Sequence, residues 1–569
     1  MLFDSLIDHF TSRSSEFEKK RPADIETNMS KSLGSSESTL AHNTEKPEQP
    51  WKPTRTELGI MITLAICSLV VALDATILVP VLPTVAVGLH GTTSEAFWTG
   101  TSYLLSHAVL QPLIATLSDI FGRRALLTPS ILFFAIGSLI CALSHNFPTM
   151  LTGRVVQGIG GAGIIILSQL LYADLVPLRL RPKYFTLVLG AWALGSVLGP
   201  LIGGLLVEKA SWRWCFYLNL PICGLALPMA IFFLSHLNDS MPHTSLATKL
   251  KSIDYIGLTL FIASLTSLLI AISDAGISHP WLSWQTIVPL VLGGVGIILA
   301  LTYEMQLATH PFLPKSIFTS SSSIASYFAA MLQGLTLYMA LYYASFYFSA
   351  THFFRPIRTG LSVFPATTLM LPGSAVVSAL ITRTGHFRWA IWAGFTISTV
   401  SCGTFILWDE NTSTPVWAAC ECFFGLGMGM LLSSLNFAIQ ASVNPEDAGR
   451  AAGMYAFARS VGMTVGVAVG GTVFQNVMRG RLEGLGVPRA DEIAKGAEGF
   501  IGRLEGMDGT GEEGVLRGEI MEGYVVGFRG VWICMMGLCG VGLVVSLLIR
   551  RASLDKVLQS RFTVRREEK

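Results

Sequence analysis

A succession of long apolar runs is the feature that most constrains how this chain can fold. Fourteen segments of about 18 or more residues, bounded by charges or turn residues, follow one another from residue 58 onward. A helix needs about 20 apolar residues to cross a bilayer, so each run is long enough for one crossing. The sequence therefore predicts an all-α integral membrane protein with 14 transmembrane helices. We place the crossings at 58–80, 97–117, 125–144, 149–172, 184–206, 214–234, 254–273, 285–304, 323–348, 359–381, 389–408, 416–438, 449–476 and 528–549.

The distribution of charge supports this class and orients the chain. Charged residues make up only 13% of the sequence, which argues against a soluble enzyme, and the net charge of +2 predicts no nucleic-acid partner. Cytoplasmic loops keep the excess of lysine and arginine. With the N-terminus inside, the short inner loops hold eleven of these residues and the short outer loops hold four. We therefore expect a multi-pass plasma-membrane protein with both termini cytoplasmic, and the vacuolar membrane is the alternative.

Glycines repeat at a fixed offset of 267 residues. Crossings five and thirteen share one spacing of four glycines: Gly195, Gly199, Gly203 and Gly204 match Gly462, Gly466, Gly470 and Gly471. Gly158 and Gly160 in crossing four match Gly425 and Gly427 in crossing twelve at the same offset. The repeat predicts two pseudo-symmetric six-helix bundles with an inserted helix pair, crossings seven and eight, between them. Duplicated bundles around a central cavity are typical of alternating-access transporters.

The chain is expected to have five parts. The first and last parts are cytoplasmic tails. The first tail is expected to be disordered because it is rich in Ser, Glu, Lys and Pro, and the last tail is basic. The parts are the tail 1–56, the first bundle 57–235, a linker with the inserted pair 236–320, the second bundle 321–550 with an outer loop 477–527, and the tail 551–569.

Two opposite charges are predicted at the same depth in the membrane. By helical rise, Asp74 in the first crossing lies roughly 22 Å above the inner face, and Arg154 in the fourth roughly 21 Å. Ionisable groups at such depth are costly and usually functional. The two could neutralise each other, and protonation of Asp74 would then release Arg154. The alternative is a static buried pair that holds the bundle together.

Two further charges lie inside predicted crossings. Glu421 occupies the repeat-equivalent position of Arg154. It could face Arg154 across the cavity and take a proton or a cation, or it could be hydrated near the outer interface. Arg459 lies near the middle of crossing thirteen and could attract an anionic substrate, or it could bond backbone carbonyls between helices. The sequence leaves both pairs of alternatives open.

The glycine stripe of crossing five predicts a close helix–helix contact. Its glycines, spaced four apart, lie on one helix face and allow another backbone to approach. Pro200 within the stripe removes a backbone hydrogen bond and favours a kink. We expect a moving interface between bundles here, and generic close packing is the alternative.

Several motifs together indicate a family. They are Leu73-Asp74-Ala-Thr-Ile77, Ser118-Asp119-Ile-Phe-Gly122-Arg123-Arg124, Gly153-Arg154-Val-Val-Gln157-Gly158, the segment from Gly195 to Gly204, and Trp212-Arg-Trp214-Cys-Phe216 with Asn219-Leu-Pro221. From about Leu58 to Arg551 the chain resembles the major facilitator superfamily. Within that superfamily it resembles the 14-span drug:proton antiporters of the fungal toxin and multidrug efflux type.

The resemblance implies roles for three groups of residues. Asp119, Gly122, Arg123 and Arg124 would form a conformational latch that stabilises the outward-open state. Asp74, Arg154 and Glu421 are the candidates for proton coupling. Gly195, Gly199, Pro200, Gly203 and Gly204 would form the antiporter helix.

The substrate cavity is expected to be lined by aromatic, polar and titratable side chains. His107 and Glu421 stand where related pumps look to have glutamine, so they are candidates for what distinguishes this substrate; a packed, hydrogen-bonded histidine is the alternative for His107. The predicted lining residues are Tyr103, His107, Gln157, Trp192, Asn219 and Arg459.

These expectations combine into one function. The sequence predicts a monomeric, proton-coupled antiporter that exports an amphipathic organic compound, such as a secondary metabolite, mycotoxin or drug. The alternative is uptake or exchange of a siderophore, amino acid or other nutrient. A membrane enzyme would need a nucleophile–base pair or metal ligands, and the sequence contains no clustered histidines, no HExxH and no Walker glycine loop. No metal or other cofactor is expected, and the proton gradient would be the energy source.

Overall fold

The computed structural model describes most of the chain after residue 50. The described residues are 51–78, 81–89, 93–239, 245–276, 279–308, 311–318, 320–507, 510–554 and 562–564. The predicted N-terminal tail up to residue 50, and most of the predicted basic C-terminal tail, lie outside them.

The described part of the chain is almost entirely helical. The first half contains α1 (Arg55–Ile77), α2 (Leu82–Gly88), α3 (Thr93–Val109), α4 (Gln111–Phe121), α5 (Arg123–Ala142), α6 (Phe147–Leu175), α7 (Arg181–Lys209), α8 (Trp214–Tyr217) and α9 (Asn219–Leu234). The connecting part contains β1 (Leu237–Asp239), α10 (Leu246–Lys251), α11 (Tyr255–Asp274), α12 (Trp284–Gln306) and a 3₁₀ helix (Lys315–Phe318).

The second half repeats the pattern of the first and adds an extension. It contains α13 (Ser321–Thr351), α14 (Pro356–Ser362), α15 (Phe364–Thr384), α16 (Arg388–Phe405), α17 (Thr414–Ala441), a 3₁₀ helix (Pro445–Asp447), α18 (Ala448–Gly484), α19 (Ala490–Lys495), α20 (Ala497–Gly506), α21 (Gly511–Ser546) and β2 (Phe562–Val564). The all-α prediction misses the short antiparallel pairing of β1 with β2 and an isolated bridge between Ala275 and His279. Much of the segment 477–527, predicted as a loop, is helical because α18 and α21 extend into it.

The helices account for 12 or 13 apolar crossings among the described residues. Twelve are long and apolar enough to span a membrane, and the pair Trp98–Val109 and Gln111–Phe121, bent by 41°, would make a thirteenth. The predicted crossing 389–408 corresponds to α16, whose 18 residues include Arg388 and several hydroxyl side chains. It is not among the helices apolar enough to count, so fourteen crossings stay a prediction.

The bend between α3 and α4 has a local cause. The sequence predicts one continuous crossing at 97–117, but the helix breaks at Leu110. Pro112 at the start of α4 has no backbone N–H and cannot continue the hydrogen-bond ladder of α3. The break gives the end of α3 and the start of α4 different directions within one crossing.

The repeated glycines make equivalent helix contacts in the two halves. A Cβ on Gly195 or Gly203 would lie 2.6 Å from the carbonyl oxygen of Leu69 or 2.3 Å from that of Ile77, so α7 packs directly on the backbone of α1. A Cβ on Gly462 would lie 2.0 Å from the carbonyl oxygen of Met331, and α18 packs on α13 in the same way. Only glycine permits such approaches.

One hydrogen bond directly links repeat-equivalent residues. The Asn436 side-chain amide of α17 donates to Oε1 of Gln169 in α6 at 3.3 Å. The two residues are 267 positions apart, which is the offset of the glycine repeat. Equivalent residues of a duplicated unit meet at its pseudo-two-fold axis, so this contact marks where α6 and α17 face each other.

The inserted pair bridges the two halves. Phe261 and Leu265 of α11 belong to one buried apolar cluster with Val109 of α3 and Phe457 of α18. On the same side of the pair, the Trp98 indole N–H donates to Oδ1 of Asp274 at 3.2 Å. The pair therefore covers the line along which α3 and α18 meet.

Candidate functional site: a buried carboxylate network at the bundle interface

Asp74 and Arg154 form a fully buried ion pair. Asp74 of α1 is 0% exposed and Arg154 of α6 is 1% exposed. Nη1 of Arg154 lies 2.7 Å from Oδ2 of Asp74. Their proximity, inferred from helical rise alone, is present in the structure. Two charges so far from water stabilise each other only when their remaining hydrogen-bonding capacity is also satisfied.

Two amides complete the shell around Asp74. Gln157 and Asn219 donate to Oδ1 of Asp74 at 2.7 and 2.8 Å. Ser138 of α5 accepts from the same two amides at 2.7 and 3.1 Å and so fixes their orientation. We call Asp74, Arg154, Gln157, Asn219 and Ser138 the coupling network. It joins α1, α5, α6 and α9, so a change of charge on Asp74 is felt by four helices.

Gln157 and Asn219 differ from their predicted role. The sequence assigns both to the substrate cavity, but each is 0% exposed and its side-chain amide is engaged by Asp74 and Ser138. Gln157 follows Arg154 by three residues, so both side chains project from neighbouring turns of one helix face toward the carboxylate. In this structure they act as ligands of the carboxylate rather than as lining of an open cavity.

Arg154 has two further contacts that set its position. Its Nε donates to the backbone carbonyl of Thr99 in α3 at 3.0 Å. Its Cζ lies 4.3 Å from the ring centroid of Tyr103, a cation–π distance. If Arg154 left Asp74, it would still be held beside α3.

A small cavity lies next to Arg154. Its volume is about 40 Å³, enough for a few waters and far too small for an organic cargo. Of the residues predicted to line a substrate cavity, Tyr103 lines this one. Both halves contribute, including Thr76, Thr101, Tyr103 and Arg154 from the first and Tyr338, Tyr342 and Val467 from the second.

Glu421 lies apart from Arg154. It is 1% exposed, and neither carboxylate oxygen has a hydrogen-bond partner among the described residues. Its nearest polar neighbour is the backbone amide of Ala366, in the first turn of α15. Ala366 is the repeat equivalent of Thr99, whose carbonyl accepts from Arg154. The equivalent positions of the two halves thus differ in charge. In the first half the cation Arg154 donates to a backbone carbonyl, and in the second half the acid Glu421 lies near a backbone amide. No contact joins Glu421 to Arg154 among the described residues, so their facing each other across the cavity stays a prediction.

His107 belongs to a polar contact between the two halves. Its Nε2 is 3.0 Å from Nε2 of Gln111, which also donates to Oγ of Ser460 in α18 at 2.9 Å. The imidazole is 4% exposed and stacks on Tyr103 with ring centroids 5.7 Å apart. His107 is therefore packed and hydrogen-bonded beside the coupling network, as the alternative reading of the sequence has it.

Trp192 and Arg459 meet across the bundle interface. Cζ of Arg459 in α18 lies 4.7 Å from the ring of Trp192 in α7. Nε of Arg459 donates to Oε1 of Gln333 at 3.1 Å, while its Nη2 has no partner among the described residues. Arg459 bonds a side chain rather than the backbone carbonyls considered from the sequence. The unused N–H donor on Nη2 leaves Arg459 able to bind an anionic group.

The antiporter helix divides its contacts between the two halves. Gly195, Gly199 and Gly203 pack on α1, as described above for two of them. A Cβ on Gly204 would instead lie 2.7 Å from the backbone of α14, at Pro356 and Ile357. Pro200 contributes through its carbonyl oxygen, which would lie 2.6 Å from a Cβ on Gly360. The second half of α7 is thus a backbone-close contact between the bundles.

An ionic latch closes one end of the bundle interface. Arg123 Nη1 lies 2.6 Å from Oδ1 of Asp119, and its Nε lies 3.1 Å from Oδ2 of Asp174. Asp119 also pairs with Arg450 at the start of α18 at 3.3 Å, which links the two halves. Nearby, Nη1 of Arg181 donates to Oε1 of Gln440 at 2.6 Å. We call Asp119, Arg123, Asp174 and Arg450 the latch.

The latch differs in composition from the sequence prediction. Arg124 is exposed and forms none of the ion pairs found in the described part of the chain. Asp119 and Arg123 lie on opposite sides of the turn at Gly122, where α4 ends and α5 begins, and the Arg123 guanidinium reaches the Asp119 carboxylate while Arg124 stays exposed. Gly122 fits its predicted place, because its φ of 98° is a conformation that other residues rarely adopt.

The opposite end of the interface is closed by Tyr342. This side chain packs against an apolar cluster of the first half that includes Leu78, Leu82 and Trp212. Its hydroxyl donates to Oε1 of Glu498 in α20 at 2.8 Å. Burial raises the pKa of Glu498 above its ordinary value, and the hydrogen bond from Tyr342 opposes this shift only in part. A segment predicted as a loop therefore contributes a carboxyl group to this end.

Comparison with known proteins agrees with the fold and the motifs. The model of the Major Facilitator Superfamily matches residues 64–467. The MFS transporter L2 of Phoma sp. is 38% identical over 91% of this chain and 86% of its own length. The Acurin A biosynthesis cluster MFS-type transporter of Aspergillus aculeatus is 33% identical over 91% and 94%. The MFS-type efflux pump LUC4 of Fusarium sp. is 31% identical over 94% and 95%.

Solved structures show the same fold at low identity. A bacterial homologue of the human lysosomal transporter Spinster, in an inward-facing and occupied conformation, aligns with a TM-score of 0.56 at 16% identity, over 88% of this chain and 98% of its own. The human organic anion transporter MFSD10 aligns with a TM-score of 0.51 at 15% identity, over 86% and 100%.

The helical repeat and the buried network thus define a multi-pass membrane transporter rather than an enzyme. The chain belongs to the Major Facilitator Superfamily.

Proposed function

We propose that this transporter is a proton-coupled antiporter that exports an amphipathic organic compound, such as a secondary metabolite or mycotoxin. The observation that carries the proposal is the coupling network, in which one buried carboxylate accepts hydrogen bonds from an arginine and two amides. The name of a relative supports the direction, since LUC4 is named an efflux pump.

Protonation of Asp74 would change the balance of the network. Neutralisation removes the charge that holds Arg154, which then keeps the Thr99 carbonyl, the Gln157 amide oxygen and the rings of Tyr103 and Phe216. Each charge-assisted hydrogen bond contributes about 1.5–3 kcal/mol, so the loss is large enough to favour a different arrangement of α1 and α6. An uncompensated Arg154 beside the cavity would attract cargo or water.

The rest of the structure is compatible with alternating access. The latch is closed, and the cavity beside Arg154 is nearly collapsed. Opening at the latch end would break the Asp119–Arg450 contact, while opening at the other end would displace Tyr342 from the first half. Proton and cargo would exclude each other through Asp74 and Arg154, so that inward proton movement, worth about 2.3 kcal/mol per 100 mV, drives export.

The remaining features of the proposal follow from the sequence. We propose that the protein is a monomer in the plasma membrane with both termini cytoplasmic, that it crosses the membrane 14 times, and that it uses no cofactor besides the proton gradient. The eleven-to-four excess of basic residues in the predicted inner loops supports the orientation. The latch would then lie at the cytoplasmic end and Glu498 at the extracellular end.

The test compares cells that lack the protein with cells that overproduce it. Untargeted analysis of medium and cells should find a compound that accumulates inside the first and outside the second. A protonophore should abolish the difference, because it collapses the proposed driving force. Accumulation inside the overproducing cells would instead indicate uptake, and export insensitive to the protonophore would refute proton coupling.

A further inference from the structure

Two carboxyl groups face each other at the latch end of the inserted pair. Asp254 precedes the first residue of α11, and Glu304 lies in the last turn of α12. A Cβ on Gly257 would lie 2.2 Å from Oε1 of Glu304 and 2.5 Å from Oδ2 of Asp254. The two oxygens therefore meet over a position that only glycine leaves empty. Both oxygens thus lie within 2.5 Å of one point.

Both facing oxygens are buried and without a partner. Glu304 is 2% exposed, and its Oε1 makes no hydrogen bond in the described part of the chain. The same holds for Oδ2 of Asp254. Their other oxygens are engaged, since Oδ1 of Asp254 caps α11 by accepting from the Gly257 N–H at 2.9 Å. The pair thus has unused hydrogen-bonding capacity aimed at one point.

Neither carboxyl group is paired with a cation in the described part of the chain. Among the described residues no lysine or arginine forms an ion pair with either group. The titratable neighbour from the packed helices is Tyr303, whose hydroxyl is 3.5 Å from Oδ1 of Asp254. Two like charges this close, one of them desolvated, repel each other, which favours the state in which one group keeps a proton.

We propose that Asp254 and Glu304 form a second proton-binding site, in which one proton is shared as an O–H···O hydrogen bond between a carboxylic acid and a carboxylate. The site lies outside the coupling network and belongs to the inserted pair. Its ligand is a proton, because two facing oxygens satisfy one O–H bond and, among the described residues, no third acidic, histidine or cysteine side chain joins them to hold a metal ion.

This site is connected to the latch. Oε2 of Glu304 accepts from the backbone N–H of Leu313 at 3.4 Å. Leu313 packs with Val109 and Phe457 from the two halves. The segment from Phe312 to Pro314 also lines a cavity together with Asp119 and Arg450. Loss of the shared proton would separate the ends of α11 and α12 and loosen this segment beneath the latch.

Infrared difference spectroscopy of the purified protein in lipid nanodiscs tests the shared proton. We expect a carbonyl band of a buried carboxylic acid that Glu304→Gln removes. Asp254→Asn, which can still cap α11, should shift or weaken the same band because the hydrogen-bond partner changes. The matched control is Glu446→Gln, which removes an exposed carboxyl near the latch and should leave the band unchanged.

Three results would overturn the proposal. The band could survive Glu304→Gln, it could be insensitive to Asp254→Asn, or it could appear only when sodium and potassium are withheld, which would indicate a cation site. Because the measurement needs no cargo, its failure would not touch the proposed export function, and failure of export would not touch this result.

A labelling experiment reports the link to the latch and does not depend on infrared assignment. A cysteine introduced at Pro314 should react several-fold faster with a water-soluble thiol reagent as the pH is raised. The variant Glu304→Gln has no ionisable carboxyl group at this position. In this variant the pH dependence of the labelling rate should follow only the ordinary ionisation of a thiol. Equal pH dependence in both proteins would refute the link.

Discussion

The buried pair of Asp74 and Arg154 makes a quantitative prediction about stability and transport together. The pair is 0% and 1% exposed with a 2.7 Å contact, so removing one partner leaves a buried charge alone. Asp74→Asn or Arg154→Gln should each lower the free energy of unfolding by about 3–5 kcal/mol. The double variant leaves no uncompensated charge and should cost much less than the sum, with a coupling energy of about 3 kcal/mol or more.

In this double-mutant cycle, export activity should not recover together with stability. The double variant should regain much of its resistance to denaturation but should not regain proton-driven export, because no group remains to exchange the proton. The control is the same cycle on Arg481 and Glu522, a pair 42% and 47% exposed, where coupling should be about 0–1 kcal/mol. Unfolding in detergent and flux in proteoliposomes are the assays. Recovery of proton-driven export by the double variant would make the pair a scaffold and refute the reasoning.

Three further predictions concern other contacts. Gly462→Ala should cost about 1–3 kcal/mol in thermal unfolding because its Cβ would lie 2.0 Å from a backbone oxygen of α13, whereas Gly480→Ala in the same helix meets open space and should cost nothing. Arg450→Gln should speed labelling of a cysteine introduced at Gly453 with little loss of stability, because Arg450 is 48% exposed and contributes mainly to the latch. Burial raises the pKa of Glu498, so docking of α20 is favoured while the carboxyl is protonated and weakens as pH rises through that pKa. Hydrogen exchange in α20, corrected for the intrinsic pH dependence of amide exchange, should show protection that falls with rising pH in the wild type and stays constant in Glu498→Gln.

The pairing of Asp74 with Arg154 could be predicted because depth in a membrane follows from residue count. The depth of a residue in the membrane, however, does not determine which way its side chain points around the helix axis. Gln157 and Asn219 were therefore assigned to an open cavity, although the spacing of Gln157 from Arg154 already places both on one face. The repeat offset of 267 residues relates more positions than the glycines from which it was found. It also relates Gln169 to Asn436, whose side chains are hydrogen-bonded to each other.

Other parts of the site have no signal in the apolar pattern. Asp254 and Glu304 mark the limits of two predicted crossings, so a hydropathy reading treats each as a boundary charge. Their proximity depends on how α11 and α12 pack and on Gly257, which only coordinates show. Glu498 lies in a polar segment, where nothing in the sequence indicates that α20 would place it against Tyr342.

The latch shows the limit of such spacing arguments. Arg123 lies just beyond the break at Gly122 that separates α4 from α5, so its contact with Asp119 does not follow from helical periodicity. The contribution of Arg450 could not be predicted, because it joins segments more than 300 residues apart. Sequence spacing thus identifies contacts within a helix, and packing decides those between helices.

Proton movement through proteoliposomes tests the central claim most directly. Vesicles would enclose a pH-sensitive dye and receive the compound identified from cells. With wild-type protein, compound added outside the vesicles should move inward while protons move outward, so the pH inside the vesicles should rise. Asp74→Asn should abolish this signal. A proton signal of wild-type size in Asp74→Asn would contradict the assignment of Asp74 as the group that exchanges the proton.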